Sequence, residues 1–408
     1  MKPLGPIPTG FSAIGGELAV QGIAASELVE RAGDTPCFVY SSDMLRERVA
    51  SLRAAMPDRL SIHYAMKANP FAPVLTLMAS LVDGIDIASA GELTLAQAAG
   101  MDPAKISFAG PGKRDRDLEA AIVAGVTLNL ESEGEADRAL NIGERIGVQP
   151  RLAVRVNPDF DLRGSGMRMG GGAKPFGIDQ DRVPDLVRHI IAAGAHWRGF
   201  HIFAGSQALD ADAIIETQGK TLDLAAQLAE EAGAPLEHLN LGGGMGIPYF
   251  PGDKPVDIIK VGAALGERFA SLPPVLADTH FAMELGRWLV GEAGVYLTRI
   301  VDRKTSHNEL YLVTDGGLHH QLAASGNFGT VVRRNYPVAI ASRFGAEPAE
   351  EANVVGCLCT PLDRLADKAL LPQAQVGDLV AVFCAGAYGA TASPADFLGH
   401  GKAPEILV

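Results

Sequence analysis

The sequence predicts an α/β chain in which a closed parallel (β/α)8 barrel is followed by a mostly antiparallel β-domain. Three observations carry that reading. Through the first two thirds, short β-prone runs alternate with Ala/Leu-rich helical segments in about eight repeats, the number a closed barrel needs. After about residue 286 the helical segments give way to alternating strands. No early G-x-G-x-x-G follows a first strand, which counts against a doubly wound open sheet.

Taken in order, residues 1–35 precede the first barrel strand and are expected to pack with the C-terminal domain. The barrel is therefore expected over 36–285 and the β-domain over 1–35 together with 286–408. The barrel strands read "LSIHYAM" (60–66), "GIDIAS" (84–89), "KISFAG" (105–110), "VTLNL" (126–130), "RLAVRVN" (151–157), "RGFHIF" (198–203), "EHLNLGG" (237–243) and "HFAMELG" (280–286). Between them "GELTLAQAAG", "DLEAAIVAG" and "VPDLVRHIIAAG" space apolar residues as a helix does, with glycine just past the end. The β-domain strands are "RWLVGEAGVYLTRIVDRK", "ELYLVTDGG", "EEANVVGCLCT" and "GDLVAVFCAGAYG". No internal repeat or low-complexity linker interrupts the chain.

A hydrophobic content of 47% with 20% charged residues reads as a globular protein, and 408 residues exceed one small core. A net charge of −13 with no basic, aromatic-interleaved tract argues against nucleic acid and anionic membranes as partners. Cys37, Cys357, Cys359 and Cys384 form no spaced framework, so reduced thiols in the cytoplasm are expected. Cys357-x-Cys359 alone is too few thiolates for structural zinc. No apolar signal core and no run of membrane-spanning length occurs.

Chemistry in such a barrel sits at the C-terminal strand ends. Here those ends carry Lys67, then Asp86 with Ser89 and Glu92, Gly110 to Lys113, Glu131, Arg155 with Asn157, Ser206, Gly242 to Gly244, and Glu284 with Arg287. The glycines of "NLGGGMGI" would let backbone N–H groups crowd a phosphate at the following helix start, helped by the Ser206 hydroxyl. A buried lysine, a phosphate cradle and a carboxylate at one mouth point to a cofactor that forms a Schiff base and carries a phosphate, which describes pyridoxal 5'-phosphate.

"YAMKAN" (64–69), "DIASAGEL" (86–93), "RVNP" (155–158), "FHIFAGSQ" (200–207), "GGGMGI" (242–247), "ELGR" (284–287), "DGG" (315–317), "GCLCTPLD" (356–363) and "GAYG" (386–389) occur in this order. By these motifs the chain resembles the fold type III pyridoxal-phosphate decarboxylases, an alanine-racemase-like group that contains diaminopimelate, ornithine and arginine decarboxylases. The resemblance implies that Lys67 is the Schiff-base lysine and that Glu284 faces the pyridine nitrogen. It implies that Ser206, Gly243, Gly244 and Tyr388 hold the phosphate, with Asp86, Arg155 and Phe203 also at the cofactor. Arg287 would reach the phosphate or a substrate anion. Cys359 would cross from a partner subunit to protonate the carbanion, which makes the protein a homodimer with shared active sites, Asp315 lying near the shared mouth.

Departures bear on the substrate. Phe203 stands where the family has a ring-stacking histidine, and His201, two residues earlier, is expected on the opposite side of the strand. "DGGLHHQLAASGNFG" (315–329) lacks the R-P-x-x-Y grip on a distal carboxylate, and Thr360 replaces an acid that would hold a distal amine. With "ADFLGH", this combination looks most like a branch linked to exosortase A and exopolysaccharide gene systems, with relatives acting on glutamate tethered to an acyl carrier protein. True meso-diaminopimelate decarboxylation is the alternative; a racemase, or a non-catalytic regulator of the antizyme-inhibitor type, are others. His319, Thr360 and Asp363 join Arg287 and Asp315 as expected substrate contacts. Paired His319 and His320 hint at metal, but no third ligand is apparent in the sequence, so no metal is expected. The stretch 161–178 is expected to be a mobile loop whose Arg163, Arg168 and Lys174 could receive an acidic carrier.

Overall fold

The computed structural model describes residues 1–326 and 334–408, leaving aside the side chains of Met167 and Arg168. The last part of the "DGGLHHQLAASGNFG" stretch, 327–329, thus lies outside the described residues, as does the Arg168 side chain. Two compact units emerge: one is Val49–Gly246 with Pro255–Gly286, the other Met1–Arg48, Ile247–Lys254 and Arg287–Val408.

In the first unit every expected strand is present. The ring runs Arg151–Asn157, His196–Ile202, His238–Asn240, His280–Leu285, Leu60–Ala65, Gly84–Ile87, Ile106–Phe108, Thr127–Leu130, and closes from Thr127–Leu130 back onto Arg151–Asn157. All of these neighbours are parallel. The helices follow from local sequence. Ser89 and Ser132 cap Ala90–Ala98 and Glu133–Ile146 by accepting the Glu92 and Glu135 N–H, and Gly125, Gly147 and Gly233 end three helices at positive φ. No helix among the described residues is long and apolar enough to cross a membrane.

The 161–178 stretch is less loose than its composition implies. Met167–Arg168 pairs with Gly205–Ser206, and the Ala204 carbonyl accepts from Met169 and Gly170 N–H at 3.2 Å. Arg163 pairs with Glu216 rather than standing free.

The second unit is a mixed sheet in the order Val338–Ile340, Leu379–Phe383, Gly294–Ser306, Glu309–Thr314, Glu350–Val355, Arg364–Leu371. Two pairings are parallel: Glu309–Thr314 with Glu350–Val355, and Glu405–Leu407 with Cys37–Tyr40, the latter strand also lying antiparallel to Gly294–Ser306. The N-terminal segment forms a three-stranded sheet whose Leu18 and Val20 share a core with Leu28, Val39, Leu297, Ala381 and Phe383. One element differs from expectation: "RWLV" is the helix Arg287–Val290, and the strand begins only at Gly294. Trp288, Leu289 and Val290 are all buried, and a short, uniformly apolar run has no periodicity to separate helix from strand.

Gly199 shows how tightly the barrel closes. The strand register slips between Trp197 and Gly199, φ there is +131°, and an added Cβ would lie 1.9 Å from the His238 carbonyl oxygen. Gly199→Ala is expected to lower stability by about 2–3 kcal/mol, seen as a lower urea midpoint at unchanged slope.

Candidate active site

The turn that presents Lys67 is built by its own motif. Strand Leu60–Ala65 runs into a 3₁₀ turn over Met66–Ala68; the Tyr64 hydroxyl donates to the Asn69 carbonyl at 2.8 Å, and the Asn69 side-chain oxygen accepts the Phe71 N–H at 3.0 Å. Lys67 Nζ then lies 3.8 Å from Glu284 Oε1 and 6.0 Å from the centre of the Phe203 ring. It is not the buried lysine expected: half of its side chain, 51%, is exposed.

Glu284, on strand His280–Leu285, is buried and takes His201 Nε2 at 3.0 Å on its other oxygen. Burial opposes its ionisation, but the hydrogen bond from His201 and the charge of Lys67 outweigh it, bringing the carboxyl down to about 2. The expectation for His201 is therefore overturned. Its ring centre lies 6.4 Å from that of Phe203, as it would if the alternation of strand His196–Ile202 carried on by one residue past its end. That alternation is the signal in the sequence that places His201 beside Phe203.

The other polar strand ends divide into groups already partnered. Asp86 accepts from His63 Nδ1 at 3.2 Å; burial disfavours the charged imidazole, yet Asp86 holds its pKa above the ordinary value. Arg155 Nη1 donates to Glu131 at 2.8 Å with its guanidinium 5.0 Å from the Phe176 ring, and Glu131 also accepts the Gly110 and Gly177 N–H. Lys113 is spent on Glu135 and the Gly110 and Asn129 carbonyls.

The glycine run adopts a different form from the one expected. No helix follows it directly, the next starting at Ile258. Instead the Gly244 carbonyl accepts from Ala208 N–H and Gly246 N–H donates to Ala208, joining the run to the loop after Ser206. A Cβ on Gly243 would lie 1.8 Å from the Glu284 carbonyl oxygen, and Gly244 has φ +83° with Leu162 where its Cβ would go. These glycines serve first to let the loop lie against the strand that carries Glu284.

In the second unit, the Arg287 guanidinium lies 5.6 Å from the Tyr249 ring and 5.1 Å from that of Tyr388, a residue at φ +57°. Its Nε is buried with no partner among the described residues, an orphaned donor of the kind an anion satisfies. Asp315 accepts from the Thr35 and Thr298 hydroxyls, each at 2.6 Å, and from Arg299 N–H. Asp363 is buried and ties two loops together, accepting Leu318 N–H at 2.7 Å and Leu358 N–H at 2.9 Å; burial raises its pKa. Cys359 and Thr360 sit on the loop so anchored, Cys359 exposed. His320 has both nitrogens engaged, with the Tyr296 hydroxyl at 3.1 Å and the Gly401 carbonyl at 2.9 Å, whereas neither nitrogen of His319 has a partner among the described residues. Cys357, considered in the sequence only together with Cys359, and His400, given there no role of its own, lie beside His319.

An ionised buried carboxylate, an amine across from it and an aromatic face suit pyridoxal phosphate, whose protonated ring nitrogen, aldehyde and flat ring need those three groups. The comparisons agree. Residues 42–291 match the family model described as pyridoxal-dependent decarboxylase, pyridoxal binding domain. The chain is 35% identical to the L-glutamyl-[BtrI acyl-carrier protein] decarboxylase of Niallia circulans, over 92% of this chain and 89% of the relative. It is 32% identical to the diaminopimelate decarboxylase of Archaeoglobus fulgidus, over 98% and 93%. The diaminopimelate decarboxylase of Helicobacter pylori, solved with L-lysine, superposes with a TM-score of 0.83 at 26% identity, covering 94% of each chain.

The depressed Glu284 pKa sets a pH dependence. A group whose folded pKa lies below its unfolded value contributes stability above the unfolded value and loses it as pH falls through the folded one, here between about pH 4.5 and pH 2. Glu284→Gln should therefore show a shallower loss of urea stability than the wild type over that window; parallel curves would contradict the assignment.

Proposed function

The chain belongs to the fold type III pyridoxal-dependent decarboxylases, and within that family we propose that its substrate is an amino acid whose far end is tethered to an acyl carrier protein. Pyridoxal phosphate, when bound, supplies a cationic ring that accepts the electron pair left when carbon dioxide departs. In this reading Lys67 supplies the amine that holds the cofactor. Glu284, kept ionised by His201, holds a proton at the ring nitrogen. Phe203 offers a flat apolar face without a hydrogen bond. Ser206, Gly243, Gly244 and Tyr388 hold the phosphate, and Arg287 an anionic group. Cys359 returns a proton to the substrate α-carbon. The homodimer expected from that cysteine's role is part of the same proposal, as is a cytoplasmic setting, supported by four unpaired thiols.

One observation carries the tethered substrate. Among the described residues of 315–326 the only formally charged side chain is Asp315, and its carboxylate is taken up by Thr35, Thr298 and Arg299. Thr360 is neutral as well. Neither the described residues of 315–326 nor Thr360 offers a free distal carboxylate or ammonium an opposite charge, and desolvating such a charge unpaired is costly; a thioester carries none. Diaminopimelate decarboxylation remains the second reading, favoured by the 32% identity to the Archaeoglobus fulgidus enzyme. A non-catalytic regulator is disfavoured, since it would not need Lys67 set against an ionised Glu284.

Carbon dioxide release should be fastest with carrier-bound glutamate in a screen that includes free glutamate, meso-diaminopimelate, ornithine, lysine and arginine; a preference for free diaminopimelate would move the assignment to the second reading. Lys67→Ala should fall to background, and Cys359→Ala should slow turnover by roughly 10²- to 10⁴-fold, the range of a lost general acid. Exchange of the α-proton for solvent deuterium without gas release would instead identify a racemase.

A further inference from the structure

Among the described residues of the second unit, one buried histidine makes no hydrogen bond, and it has a specific neighbourhood. His319 is fully buried, and neither Nδ1 nor Nε2 meets a partner among the described residues. A buried imidazole left this way costs free energy unless something else satisfies it. A ligand atom of His319, the Sγ of Cys357 and a ring nitrogen of His400 all lie within 4.8 Å of one another, with Cys357 Sγ 3.8 Å from His400 Nε2. Tetrahedral zinc with ordinary Zn–S and Zn–N bonds puts its sulfur and nitrogen about 3.6 Å apart, so that spacing needs almost no adjustment.

The three donors come from distant parts of the chain, yet their segments are fixed to one another. The Asp363 carboxylate bonds the N–H of Leu318, next to His319, and of Leu358, next to Cys357. Adding a Cβ to Gly317 or Gly356 would bring it within 2.1 or 2.2 Å of that carboxylate, so both glycines are required for the clasp. His320 bonds the carbonyl of Gly401, next to His400, and is itself held by the Tyr296 hydroxyl. Each donor thus stands next to a residue whose backbone is held in place.

We propose that His319, Cys357 and His400 form a site for a borderline-soft divalent transition metal, zinc(II) in class, with a fourth position open to water or an anion. Two imidazoles and a thiolate favour such an ion over calcium or magnesium, which take oxygen ligands. On binding, Cys357 gives up its thiol proton to solvent as the S–metal bond forms, so uptake releases a proton and weakens at low pH. The bound ion joins the loop of Cys359 to the segment of His400. This role replaces the substrate contact expected of His319 and reverses the expectation of no metal.

The test uses the purified holoenzyme, stripped with chelator and dialysed against zinc(II) alone, with metal content measured per chain. One zinc per chain is expected, with a rise in Tm. Cobalt(II) in its place should give a tetrahedral d–d spectrum with a thiolate-to-metal band. Cys357→Ser and His400→Asn, both at exposed positions, should each weaken zinc uptake by at least roughly tenfold and abolish the thiolate band and the Tm rise, while their metal-free melting curves match the wild type. Absence of stoichiometric zinc in the wild type, or equal uptake in both variants, would overturn the site. A KM effect of His319→Ala without any metal uptake would likewise overturn it, returning that residue to the substrate.

Discussion

A buried charge governs the barrel mouth. Glu284 is removed from water, a costly position for an ionised carboxylate, and it remains ionised because one oxygen meets His201 Nε2 and the other faces Lys67. The rest of the mouth is arranged around that choice. Gly243 has no room for a side chain because the backbone of Glu284 passes beside it, and the Gly242 carbonyl accepts the Glu284 N–H at 2.9 Å. Phe203 completes the enclosure with an apolar surface near the amine.

The remaining charged strand ends show why polarity at a barrel mouth is not by itself a sign of chemistry. Arg155 with Glu131 and Lys113 with Glu135 are closed ion pairs, each further satisfied by backbone groups. They brace the loops on that side of the ring. Lys67, by contrast, is half-exposed and faces Glu284 Oε1 at 3.8 Å.

The barrel was legible in the sequence because its signals are local and repeated: β-prone runs alternating with helically spaced apolar segments, and glycine stops. The helix at Arg287–Val290 was not, because a short run buried on all sides has no period. Lys67 and Glu284 could be named from motif order, whereas the place of His201 required the strand alternation to be carried through to Phe203. The absence of a helix directly after the glycine run was not legible, because the same composition precedes a helix start or allows a close backbone crossing, and only tertiary contacts separate the two. Cys357 and His400 were out of reach for a related reason. They are 43 residues apart in the chain, and each alone has an ordinary surface explanation.

The clasp at Asp363 has an evolutionary corollary. It holds its two loops through the main-chain N–H groups of residues 318 and 358, which nearly every residue type supplies, so the clasp itself does not depend on the chemistry of the side chains around it. A turn anchored this way can exchange its outward-facing chemistry by single substitutions while the cysteine at 359 holds station. New specificities can therefore arise here without a new fold having to be stabilised first.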